Sequence, residues 1–265
     1  MNGVRKRFLV AVLLLGLVGS GLGRLSLAKA EEKPAFDGSV SFYSQYIWRG
    51  FEFSRDSVVI QPSMTLAYKG VSFNIWQNID TDPWSTSGRG STDNLNETDV
   101  TLAYGWEFGS WSAELGYIWY SLDNAYDSHE IYLSASCNVF LSPTLTVYRE
   151  FAHYPGTYIT FGVSHTIPVT AGMSLDLGAE ISYLDSNDEG AYADPGDPDD
   201  EYSALHTALL SASLVVPVNA YISLSPEVYI SLPLSEDAAD IIGDTGMHQG
   251  REVNVFGGAT LSLSF

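Results

Sequence analysis

The sequence predicts an all-β fold: a single closed antiparallel barrel of about twelve strands that crosses a lipid bilayer. Three observations predict it. Apolar and small polar residues alternate with period two from Asp37 to the carboxy terminus. The connections between alternating segments are tight and long in strict turn. Aromatic residues gather near the ends of the segments, and the chain closes on Phe265.

The amino-terminal part stands apart from this pattern. Arg5, Lys6 and Arg7 precede an apolar stretch from Phe8 to Val18, and Ala28-Lys29-Ala30 forms an A-x-A pattern before Glu31. Residues 1–30 are therefore expected to be a cleaved secretory signal peptide, with 31–37 a short lead and 38–265 the barrel. The apolar stretch is shorter than a membrane helix requires. Residues 1–30 hold 5 of the 12 basic residues and none of the 32 acidic ones. The mature chain thus carries seven bases against 32 acids, a net charge of −25, which disfavours nucleic acid as a partner. A lone cysteine, Cys137, excludes an internal disulfide.

Strands are expected over about residues 38–50, 55–69, 71–80, 97–109, 111–122, 128–138, 144–152, 157–166, 173–184, 204–215, 220–231 and 251–265. Each is long enough for a tilted strand to cross a bilayer, for which about 9–11 residues suffice. Lys69-Gly70, Phe108 to Ser110, Val139 to Pro143, Ile167 to Gly172 and Val216 to Asn219 are the tight connections. Three of the intervening ones are long and acidic: Thr81 to Asn96, Asp185 to Ser203 and Leu232 to Gly250. Phe51 to Ser54, Asp123 to Asp127 and His153 to Gly156 are the shorter members of that set. With both termini periplasmic, tight turns fall on the periplasmic side and long loops outside, an asymmetry a soluble sandwich does not need.

Alternation also assigns faces. Val100, Leu102, Tyr104, Trp106 and Phe108 oppose Asp99, Thr101, Ala103, Gly105 and Glu107. On the last strand Val253, Val255, Ala259, Leu261 and Leu263 oppose Asn254, Thr260 and Ser262, with Phe256 breaking the pattern. In a membrane barrel the apolar face meets lipid and the polar face lines the interior. Tyr46, Trp48, Trp106, Trp111, Tyr117 and Trp119 are expected in aromatic girdles. An open sheet edge is not tolerated in hydrocarbon, so the first strand must pair with the last.

The stretch Ser44-Gln45-Tyr46-Ile47-Trp48-Arg49-Gly50 resembles the opening strand of the TorF-type putative porins of proteobacteria. Gln61-Pro62-Ser63, the run from Phe73 to Asp80 and the run from Leu141 to Tyr148 share the likeness, which extends from about residue 38 to the end. The resemblance implies an outer-membrane barrel of porin type. It brings no catalytic or ligand-binding residues.

From the residues themselves, the interior is expected to hold Tyr43, Gln45, Arg49, Trp76, Asn78, Asp80, Glu114, Glu130, Tyr148, Glu150, Glu180 and Glu227, the candidates for lumen lining or constriction. Acidic groups dominate this set, with Arg49 its base. Such an interior points to an outer-membrane channel for passive diffusion of small hydrophilic solutes, with cations preferred. Arg49 is expected either to shape a constriction with Asp80 or Glu150, or to fix strand register through an ion pair. The carboxylates could instead be bridged by Arg49 and tyrosine hydroxyls into a plug, leaving a closed structural or adhesive barrel that presents acidic loops. A lipid hydrolase needs Ser and His on one lipid-facing wall, and Ser164 and His165 face opposite ways. No enzyme, cofactor or fixed metal site is expected. Expected partners are outer-membrane lipid and lipopolysaccharide, small solutes, and divalent cations held at the acidic loops, of which the Asp185 to Glu201 segment is the richest in oxygen.

Overall fold

Alternation alone places each strand's apolar residues on one side, and closure removes the strand edges that hydrocarbon forbids. The computed structural model describes residues 33–83, 94–123, 125–170 and 172–265. The proposed signal peptide and the stretch from residue 84 to 93 of the first long acidic loop lie outside them.

Twelve antiparallel strands close on themselves. They are β1 (Ala35–Tyr43), β2 (Val59–Tyr68), β3 (Val71–Asp80), β4 (Leu95–Phe108), β5 (Trp111–Leu122), β6 (Ser128–Cys137), β7 (Thr144–Glu150), β8 (Gly156–Pro168), β9 (Ser174–Ser186), β10 (Ser203–Pro217), β11 (Ile222–Pro233) and β12 (Asn254–Ser264). Every strand pairs with its sequence neighbour, and β1 pairs with β12 from Asp37↔Ser264 to Tyr43↔Gly258. The expected all-β closed barrel is therefore the observed architecture. β1 starts at Ala35, three residues before the expected boundary at residue 38.

Lys69-Gly70 shows how the tight turns are made. Both residues have positive φ, 51° and 85°, as a two-residue hairpin turn of type I′ demands. A Cβ on Gly70 would come within 2.7 Å of the Gly105 carbonyl oxygen, so glycine is required there.

The outward face is apolar along the wall. Leu66, Phe73, Leu102, Tyr104, Leu115, Leu133, Leu145, Phe161 and Leu261 are all exposed. Trp106, Trp111 and Trp119 are exposed near strand ends, as girdle residues should be, whereas Tyr117 is exposed in mid-strand. The buried face is polar and aromatic, with Asn74, Asp99, Glu114, Glu130, Asp176, Glu227, Tyr132, Tyr148 and Tyr229 among its members. Phe256 fits this arrangement: it is 2% exposed and stacks on Tyr229 with ring centroids 5.2 Å apart. On β9 and β10 a one-residue bulge sets Ser182 against both His206 and Thr207, burying both side chains. Cys137, at the turn end of β6, is free and buried.

Three expectations fail here. The first strand does not run to Gly50; it ends at Tyr43, and residues 44–58 form a connection much longer than Phe51 to Ser54. That connection carries its own small hairpin, Ile47–Trp48 against Phe51–Glu52. Tyr46 and Trp48 consequently do not join an outer girdle. Tyr46 is 3% exposed and packs on Phe53 and Trp76 inside the barrel. The last long loop also contains α1 (Glu236–Thr245), where an acidic loop without a helix was expected. Ser235 caps it by accepting from the Ala238 N–H at 3.0 Å, and Ala238, Ile241 and Ile242 form its buried stripe.

Candidate functional site: an inward hairpin and an acidic interior

Arg49 and Gly50 are the tip of the small hairpin, both with positive φ, 50° and 88°. Gly50 lies so close to its surroundings that a Cβ would meet Thr207 Cγ2 at 2.6 Å and Ile242 Cδ1 at 2.9 Å. The aromatic-Arg-Gly element is thus a turn, which aims the guanidinium into the barrel.

Arg49 reaches Glu130 with one nitrogen on both carboxylate oxygens, at 2.7 and 2.9 Å. Both side chains are buried, 6% and 1% exposed. Tyr120 donates its hydroxyl to the same carboxylate at 2.8 Å. The guanidinium carbon lies 4.4 Å from the Trp48 ring centroid and 4.2 Å from that of Tyr158. Removing one partner of such a buried pair leaves an uncompensated charge, at a cost of about 3–5 kcal/mol. The constriction pairing expected from sequence, Arg49 with Asp80 or Glu150, is not the one formed. Glu150 closes the turn behind β7: it accepts the Ala152, His153 and Tyr154 N–H groups at 2.9, 3.2 and 2.9 Å, together with the Ser128 hydroxyl. Asp80 accepts the Asp82 N–H at 3.0 Å and so caps the next loop.

The hairpin is tied down on three further sides. His206 donates from Nε2 to the Arg49 carbonyl oxygen at 2.8 Å, which leaves Nδ1 to accept the Tyr202 hydroxyl at 2.9 Å. Phe51 is covered by Tyr192 and His206, with centroids at 5.7 and 5.3 Å. Tyr46 donates to Glu97 at 2.8 Å. At the loop end Glu52, 2% exposed, accepts from Gln45 at 2.6 Å, from Arg251 at 2.9 Å and from His248 Nδ1 at 2.9 Å. His248 Nε2 faces Asp56 at 3.0 Å. The carboxylates of Glu52 and Asp56, one on each ring nitrogen, raise the imidazole pKa above its ordinary value.

The other expected interior residues form local sets on the buried face. Tyr43 and Tyr229 both donate to Glu227 at 2.6 Å. Tyr132 donates to Glu114 at 2.6 Å, and its ring lies over Gly116, where a Cβ would clash at 2.3 Å. Asn78 accepts from Gln61 at 3.0 Å and donates to Asn96 at 2.7 Å. Trp76 packs on Tyr46 at 5.8 Å. Glu180 lies on β9 beside the Tyr148 and Tyr158 rings, whose centroids are 6.1 Å apart. Gln45 sits in the inward connection rather than on a strand. Sequence reasoning missed the Glu52, His248 and Arg251 cluster, because the fold joins residues about 200 positions apart in sequence.

In the acidic loop, Asp188 accepts the Gly190 N–H at 2.9 Å and Asp194 accepts the Gly196 N–H at 2.8 Å. Among the described residues no group of three or more His, Cys, Asp or Glu is placed to hold a metal ion.

No protein-family model matches the sequence, and no curated protein sequence does. Solved structures do match in fold. The NanC porin superposes with a TM-score of 0.53 at 10% identity, covering 87% of this chain and 98% of that one. The KdgM porin gives 0.51 at 14%, covering 87% and 99%. An outer membrane channel from Pseudomonas putida F1 gives 0.52 at 12%, covering 90% and 98%. At such identities the likeness carries the architecture: that of the outer-membrane porin barrels.

Proposed function

We propose that the protein is an outer-membrane channel for passive diffusion of small hydrophilic solutes, of the TorF porin type, with a preference for cations. One observation carries the reading: the wall is apolar outside, while its buried face concentrates carboxylates around Arg49. Glu97, Asp99, Glu114 and Glu227 project from three strands into that interior without a lysine or arginine partner among the described residues. Many carboxylates in a confined volume call for water and mobile counter-ions, since uncompensated buried charge is costly. A cation is then attracted and an anion repelled by the same field. The porin neighbours support the channel reading at the level of fold. The hairpin of residues 44–58 serves as the constriction, and Arg49 sets its position rather than its selectivity. The long loops then face outward, where divalent cations can bridge their carboxylates to lipopolysaccharide.

The test is reconstitution of the mature chain in a planar bilayer with a salt gradient. Discrete conductance steps with a reversal potential of the cation-selective sign are expected. Chloride preference would overturn the selectivity. A second reading, a closed barrel presenting acidic loops, draws on the tight packing of the hairpin, and an absence of steps from folded protein would favour it.

A further inference from the structure

Among the described residues, the twelve strands carry a single lysine or arginine, and it does not face the acidic interior. Arg149, on β7, alternates with buried Tyr148 and Glu150 and is itself exposed on the outward wall. It stands one residue from the loop end of its strand. Its hydrogen bonds go to neutral oxygens, Thr157 Oγ1 at 3.0 Å and Asn187 Oδ1. No carboxylate forms an ion pair with it among the described residues.

Its neighbours on the outward face include polar and aromatic side chains beside the aliphatic Ile131. Arg149 pairs in register with Ile131, and Trp119 pairs with His129 two positions along, so His129 is the diagonal neighbour of Arg149. Such diagonal positions lie roughly 7–8 Å apart. The His129 ring is stacked 6.0 Å from Tyr117, whose hydroxyl meets its Nδ1 at 2.6 Å. Trp119 donates its indole N–H to Asp127 at 3.2 Å. Of the acids near this face, Asp127 is engaged by Trp119, and Asp185 by Ser203 at 2.7 Å.

We propose that Arg149, His129 and Tyr117 form a binding site on the outer wall for a phosphate-bearing lipid headgroup of the leaflet at the loop end. A guanidinium at the headgroup level with only neutral partners is a phosphate receptor by charge and fork geometry. The flanking rings and the aliphatic wall below them suit acyl chains. A chain carrying so large a negative charge repels dissolved anions in general, so a phosphate held here must come with a hydrophobic tail. The inference rests on the outward face being lipid-facing, and not on what passes through the interior.

The full mature chain, purified in detergent, tests it by native mass spectrometry against titrated bis-phosphorylated lipid A. Retention of lipid by the wild type, with Arg149→Gln weakening it about tenfold and Arg149→Lys weakening it less, is the expected result. Equal retention of the dephosphorylated lipid would overturn the proposal, as would equal retention by Arg149→Gln. Competition by inorganic phosphate at the lipid's concentration would also overturn it, by making the site one for a free anion. Heat-modifiable mobility of each variant confirms that a lost lipid is not a lost fold. Conductance is measured separately, so failure of the channel reading leaves this result readable.

Discussion

Gly50 shows how much one position can hold in place. Its φ of 88° strains any L side chain, and a Cβ would collide with Thr207 and Ile242. Gly50→Ala is expected to cost about 1–3 kcal/mol, the usual cost of a residue forced into a sparsely populated backbone region. Because the hairpin docks inside an intact wall, the loss should fall on the hairpin. Hydrogen exchange at residues 44–58 should quicken while the barrel strands stay protected. The residue types at this position were legible, for Arg-Gly between aromatic and β-branched residues is a hairpin-turn signal. That signal was outweighed by alternation through Gln45 to Phe51, which reads equally well as the end of a strand. The partner of Arg49 was not legible. Several carboxylates share its side of the wall, and only the depth of the hairpin selects Glu130.

At the scale of elements, the hairpin and the last long loop form one unit joined through Glu52, His248 and Arg251. The imidazole of His248 faces Glu52 and Asp56, with Arg251 sharing Glu52. Its pKa is raised by those two carboxylates in the folded protein. A raised native value means stability that is fully present below the ordinary imidazole pKa of about 6.5 and lost as pH rises through the native value. The junction should therefore loosen toward alkaline pH. Limited proteolysis at residues 44–58 should become faster across that window in the wild type, and His248→Gln should abolish the pH dependence. α1 was partly visible beforehand: Ser235 followed by Glu236 and Asp237 is an N-terminal signature, and Ala238, Ile241 and Ile242 share a helical face. The acidic content of its loop obscured both cues.

For the whole molecule, period-two alternation and the segregation of tight from long connections were enough to give strand number, order and closure. These survive small boundary errors because each strand is specified by many residues. What alternation could not convey is which loop folds inward, since that depends on contacts between distant segments. The two-faced wall predicts unequal tolerance. Leu133, outward and mid-strand on β6, changed to Arg should destabilise the barrel by about 2–4 kcal/mol in lipid vesicles, measured by denaturant unfolding. Ser134→Ala, one position along and inward, should change stability little by the same measurement. The solitary thiol offers a further use of the same architecture. Cys137 sits 8% exposed with Sγ 3.9 Å from the Ser110 hydroxyl, so it is shielded once β5 and β6 have zipped together. A nascent polypeptide leaves it bare to a maleimide dye, and insertion hides it, so the molecule carries a built-in clock for its own assembly.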